Sequence, residues 1–90
     1  MTTVERAATI RNKRGLHARA AAKFAQIAGG FEADITVSRG GQSVSGSSIM
    51  GLMMLAASPG TEIALAASGT DAAAALDAIC ALIDDKFEED

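Results

Sequence analysis

Paired helix breakers confine this chain to short elements. Gly29-Gly30, Gly40-Gly41 and Pro59-Gly60 interrupt it, with single glycines at Gly15, Gly46 and Gly69 besides, and the stretches they leave alternate between two hydrophobic periodicities. Residues 4–10 combine branched and small side chains without a breaker and read as a first strand. Residues 18–28 place Ala18, Ala21, Ala22, Ala25 and Ala28, with Phe24 and Ile27 beside them, on a helical face that Gly29-Gly30 ends. Residues 33–38 alternate Ala, Ile and Val against Asp, Thr and Ser, as a half-buried strand does, and Gly40-Gly41 predicts a hairpin turn into residues 42–45. Ser47 and Ser48 offer caps for a short helix over residues 49–55. Pro59-Gly60 turns the chain into a last strand, 61–68, carried by Ile63 and Leu65. From Gly69-Thr70-Asp71 a final helix follows, with Ala72, Leu76, Ile79, Cys80 and Ile83 three and four residues apart, and the acidic run Glu88-Glu89-Asp90 is expected to fray. Three amphipathic helices on one face of a four-stranded, mostly antiparallel sheet make an α+β, two-layer open-faced sandwich of order βαββαβα, in one domain over residues 1–90.

Composition narrows the function classes. With 49% of its 90 residues hydrophobic, the chain can bury a modest core without staples. The single Cys80 has no intrachain disulfide partner, and one histidine with one cysteine makes no zinc cluster, so a reducing compartment and no metal are expected. The first residues, MTTVERAATI, carry no long apolar run, and the later alanine-rich stretches are broken by Gly, Ser and Asp; neither a signal peptide nor a membrane span is expected, and the cytoplasm is the expected location. A net charge of −3, only three Phe and no basic stripe interleaved with aromatics argue against nucleic acid as a partner. Yet the charge is divided unevenly. Residues 1–45 hold seven of the eight Lys and Arg with three acids, and the remainder holds Lys86 with eight acids. Arg11, Lys13, Arg14, Arg19 and Lys23 surround the only histidine, an arrangement suited to steering acidic partner surfaces, although Arg11 and Lys13 taken singly read as solvated loop residues.

That histidine, His17, stands where the basic stretch 11–15 gives way to the first helical pattern. A helix start has backbone N–H groups without intrahelical partners and a partial positive charge, so an anion on or beside the ring meets ready donors at Ala18 and Arg19. The guanidinium of Arg19 adds a fixed cation whose planar fork matches phosphate oxygens. The same positive end favours neutral imidazole, which keeps a nitrogen lone pair for attack. On residues alone, a capping or surface histidine and a nucleophilic one both fit. Gly15, which permits a tight turn, and Leu16, placed to staple the helix start, bring the nucleophilic reading level with the structural one.

The stretch GLHARAA resembles the active-site signature of the HPr family, the histidine-containing phosphocarriers of the bacterial phosphoenolpyruvate-dependent phosphotransferase system, and SSIMG resembles that family's regulatory serine motif. Both motifs stand at the family's spacing, and the likeness runs from about Val4 to Lys86. Ala20 departs from it, since the family usually has proline there; alanine is the better helix former beyond the first helical position, so the helix is expected to persist.

The resemblance implies a covalent carrier rather than an enzyme, without a cofactor. Phosphorylated enzyme I donates to the ring nitrogen corresponding to His17 Nδ1, and a downstream IIA-type component removes the group. Arg19 and the backbone of Ala18 and Arg19 then neutralise the phosphoryl oxygens. It also implies that Ser48 is the target of an HPr kinase/phosphorylase, and that Ile49, Met50 and Met53 belong to a docking surface shared by successive partners. Transient docking is most natural for a monomer.

Independently of the resemblance, Ile49, Met50, Leu52, Met53, Met54 and Leu55 are too many apolar residues for one face of so short a helix. Core packing suits Leu52 and Leu55, while adaptable thioethers suit an exposed contact patch at Met50 and Met53. Ser48 needs no function beyond capping, but a phosphate there would place about two negative charges inside that patch.

Other classes fit less well. An acyl carrier would place an acid before the serine, where this chain has Ser47. A Ser-His hydrolase lacks a strand-serine-helix elbow and an acidic orienter. A mainly regulatory, nitrogen-branch carrier, whose phosphorylation state selects binding targets, is the alternative to sugar transport.

Overall fold

A computed structural model describes residues 3–89, and the expected elements appear in the expected order: β1 Thr3–Thr9, α1 Ala18–Ala28, β2 Asp34–Arg39, β3 Gln42–Ser45, α2 Ile49–Met54, β4 Glu62–Ser68 and α3 Ala72–Asp84. The four strands form one sheet in the order β1-β4-β2-β3. Each of its pairings is antiparallel, so the sheet is wholly rather than mostly so. The central strand β4 shows why the sheet has one covered face. Ile63, Leu65 and Ala67 point inward and are buried, while Glu62 and Ala64, which alternate with them, are exposed, the period-2 pattern of a strand with one wet side. Ile35 and Val37 of β2 continue the inner face, and Gly40-Gly41, both at positive φ, make the tight turn that pairs β2 with β3.

The helices close over that face. Phe24 of α1, Leu52 of α2, and Leu76, Ile79 and Ile83 of α3 are all inaccessible to solvent and join the strands in one core. Helix α1 runs unbroken through Ala20, which packs fully buried where the family's proline would stand. Leu52 and Leu55 go to the core as their spacing predicts, and Ile49, Met50, Met53 and Met54 stay exposed, with Met50 at 71%. The ends of α2 are tied down: Ser48 Oγ accepts from the Gly51 N–H at 3.0 Å, and Arg39 Nη1 donates to the Leu55 carbonyl at 2.9 Å. The apolar side chains that α2 leaves in solvent are therefore held on a fixed backbone.

The acidic run after α3 departs from expectation. Rather than fraying, residues Lys86–Glu88 form a single 3-10 turn, and Phe87 inserts completely into the core. Lys86, Phe87 and Glu88 all adopt left-handed backbone conformations that side-chain-bearing residues rarely take, so burial and polar contacts must hold them there. Burial of the Phe87 ring is one such hold, and Lys23 Nζ, which donates to the Phe87 carbonyl at 2.8 Å, is another. A local reading sees only the charges of this segment; its anchor is an aromatic ring that packs against residues distant in sequence. Asp90 lies outside the described residues.

Candidate functional site

The loop before α1 is built to present one residue. Asn12 and Gly15 close a turn, with the Gly15 N–H donating to the Asn12 carbonyl and Asn12 Nδ2 donating back to the Gly15 carbonyl at 2.8 Å. Gly15 takes φ +65°, and a Cβ there would run into the Ala57 carbonyl oxygen, so glycine is required both for the turn and for the close approach of the 56–58 loop. The next N–H, of Leu16, donates to that same Ala57 carbonyl at 3.0 Å, and the Leu16 side chain is buried. With both flanks latched, His17 falls at the N-cap of α1 in extended backbone conformation (φ −74°, ψ 178°), and its carbonyl accepts the first helical bond, from the Ala21 N–H at 2.9 Å.

Among the described residues no side chain caps this helix. The N–H groups of its first turn, Ala18 and Arg19 among them, therefore have neither an intrahelical acceptor nor a capping oxygen, which is the condition for receiving an external anion. His17 stands at the mouth of an open depression lined by Lys13, Arg14, Arg19 and Lys23 together with Glu88 and Glu89. Its side chain is 17% exposed, so the ring is neither sealed in the interior nor free in solvent. Arg19 is exposed on the first turn and, among the described residues, makes no ion pair. Arg11 points away, 4.0 Å from Asp84, whereas Lys13 faces the depression; of the two residues that read as ordinary loop cations, only Arg11 remains outside the site. Larger grooves run beside Phe31, Ile35 and Val44 and along the bare sheet face at Ala7 and Ala64, away from His17.

The site residues that sequence reasoning missed are Glu89 and Asn12. His17 Nε2 is hydrogen-bonded to Glu89 Oε2, and Asn12 Nδ2 donates to the other carboxylate oxygen at 3.1 Å. The hydrogen bond from His17 holds the Glu89 carboxyl below its usual range, opposed by burial and supported by Asn12 and by the charge of Arg14. As an ionised carboxylate only accepts, the bond assigns a proton to Nε2, and in the neutral ring the free lone pair is then on Nδ1. Asn12 gave one signal, a neutral amide amid a basic stretch; Glu89, 72 residues away, gave none.

Ser48 and the methionine patch occupy a separate helix start. Ser48 is half-buried with its hydroxyl engaged as the cap of α2, and the exposed Ile49, Met50 and Met53 follow directly. Among the described residues no group of three or more His, Cys, Asp or Glu is arranged to hold a metal ion, and no helix is long and apolar enough to cross a membrane.

Comparison with known proteins agrees with this fold. The family described as "PTS HPr component phosphorylation site" matches residues 4–85. The chain is 54% identical over 89 residues to "Phosphocarrier protein NPr" of Shewanella violacea, covering 99% of this chain and 98% of that one. It is 49% identical over 86 residues to "Phosphocarrier protein HPr" of Cupriavidus necator, covering 96% and 97% respectively. Among solved structures, HPr-C-His from Thermoanaerobacter tengcongensis superposes with a TM-score of 0.89 at 42% identity, over 100% of this chain and 99% of that one. The four-stranded antiparallel sheet with three helices is thus shared with proteins that carry phosphoryl groups rather than catalyse turnover, and the chain belongs to the HPr phosphocarrier family of the phosphotransferase system.

Proposed function

We propose that His17 is the carrier residue, taking a phosphoryl group on Nδ1 from phosphorylated enzyme I and passing it to a downstream IIA-type component. The observation that carries this reading is the bonded state of the ring: Nε2 is engaged by Glu89, so Nδ1 is the nitrogen free to attack when the ring is neutral. A new N–P bond forms at Nδ1 as the donor's P–N bond breaks and its electron pair returns to the donor; handing on reverses the exchange. The phosphoryl oxygens are matched by Arg19 and by the open N–H groups of Ala18 and Arg19, so the contribution of the protein is position and charge. Binding the group too tightly would stall the second transfer, and a shallow, open site suits a carrier.

Ile49, Met50 and Met53, exposed on a rigid helix, serve in this reading as the docking surface for successive partners. A phosphate added to Ser48 by an HPr kinase/phosphorylase would place about two negative charges beside that patch and oppose docking without unfolding the domain. A second reading, control of target binding by phosphorylation state in a nitrogen branch, draws support from the NPr name of one relative and from Ala20 in place of proline.

The test is labelling by phosphoenolpyruvate and enzyme I, followed by intact mass and acid treatment. His17→Ala is expected to abolish an acid-labile, base-stable label, and Arg19→Ala to slow labelling on the order of 10- to 100-fold. Full labelling of the His17 variant overturns the assignment. Transfer of the label to a sugar-specific IIA component, or to a nitrogen-type one alone, separates the two branches.

A further inference from the structure

The segment after α3 is placed as a strap across the site. It crosses from α3 to the basic depression through the three left-handed residues Lys86, Phe87 and Glu88, and ends with Glu89 on the ring of His17. Its holds are few and identifiable. Phe87 is buried, Lys23 Nζ reaches both the Phe87 carbonyl at 2.8 Å and Glu88 at 3.2 Å, and Glu89 is gripped by His17 and Asn12. A backbone this far from its preferred conformations stays closed only while such contacts persist. Two of the holds depend on the negative charges of Glu88 and Glu89 meeting the groups that would also meet a phosphoryl group.

We propose that Glu89 is a positioning residue, held by this strap on Nε2 of unphosphorylated His17 so that Nδ1 is presented, and that the strap is released when His17 carries a phosphoryl group. The proposal rests on the carrier role of His17 proposed above. A phosphorylated ring adds about two negative charges where two carboxylates already stand, so like charges repel. Meanwhile Lys13, Arg14, Arg19 and Lys23, the cations facing the depression, acquire a stronger anion than Glu88. The loss of Lys23 and of the Glu89 contact leaves the left-handed turn held by Phe87 and by its own backbone hydrogen bonds. The phosphorylated and free forms then differ in shape beside His17, and a partner can distinguish them there.

Two amides report the strap directly, because the Glu88 N–H donates to the Asp85 carbonyl and the Glu89 N–H to the Lys86 carbonyl, both at 3.0 Å. The experiment measures their hydrogen exchange by NMR in the full chain, with the His17 Nε2–H resonance as the ring signature, before and after chemical phosphorylation by phosphoramidate, which needs no partner protein. In the free protein Glu89→Ala is expected to remove the hydrogen-bonded Nε2–H signal and raise exchange at Glu88 at least tenfold. Phosphorylation of the unmodified chain is expected to raise exchange at both amides by a similar factor, and Glu89→Gln, which retains an acceptor without its charge, to show a smaller rise. Unchanged strap exchange in a chain phosphorylated on His17 overturns the release and leaves the carrier role standing. Failure of phosphoramidate to label His17 overturns the carrier role and the release with it. An unaltered Nε2–H signal and unaltered exchange in unphosphorylated Glu89→Ala overturn the positioning role in either case.

Discussion

Helices α1 and α2 begin in opposite ways. At α2 the N-cap serine turns its own oxygen onto the helix, Ser48 Oγ accepting from the Gly51 N–H, and the orphan donors of the first turn are partly satisfied from within. At α1 the N-cap is His17, whose side chain goes to Glu89 and makes no cap hydrogen bond to the helix. The contrast separates two uses of the same element. A start that caps itself is stable and closed; one that leaves its donors open is dependent on its loop for stability, and is receptive to an anion. The loop of α1 accordingly carries the close-packed Gly15 and the buried Asn12, whereas α2 starts directly after a β-strand and a single turn.

The largest effect should come from breaking the loop of α1. Gly15→Ala forces a Cβ into the Ala57 carbonyl at positive φ and is expected to cost about 2–4 kcal/mol in urea unfolding, with slower His17 labelling as the ring loses its pose. Asn12→Ala removes the bonds to Gly15 and to Glu89 and is expected to cost about 1–3 kcal/mol by the same measurement, since the Gly15 carbonyl loses a buried partner and Glu89 a part-buried one. Ser48→Ala sharpens the contrast from the other side. Loss of the α2 cap should cost about 1 kcal/mol while phosphoramidate labelling of His17 proceeds at the unaltered rate. An equal loss of labelling in Ser48→Ala would mean that the two helix starts are not independent.

The smallest effect is that of pH. Glu89 has a carboxyl lowered in the folded state by His17 and Asn12, so its contribution is fully present above the ordinary glutamate range and disappears as pH falls through its lowered folded value. Urea unfolding as a function of pH should therefore show a steeper decline below the ordinary glutamate range for the unmodified chain than for Glu89→Gln. Parallel curves would show that the carboxylate contributes no linkage.

Local patterns accounted for much of this. The boundaries of α1 follow from its alanine face and Gly29-Gly30, the β2–β3 turn from Gly40-Gly41, and the division of α2 into buried Leu52 and Leu55 against exposed methionines from an excess of apolar residues. His17 and Arg19 were legible because helix-start chemistry is written in adjacent residues. Glu88 and Glu89 read as a fraying end for the complementary reason: nothing near them in sequence signals a partner, and Phe87 by itself does not reveal where its ring will pack.

The amino-acid order alone thus determined the elements, their alternation and the identity of the nucleophile candidate, since periodicity, caps and turns act over a few residues. The strand order β1-β4-β2-β3, the latch of Leu16 onto Ala57 and the return of Glu89 to His17 were decided by tertiary structure. Those contacts join residues far apart in the chain, and their free energy exists only once the core has closed and brought the partners into reach.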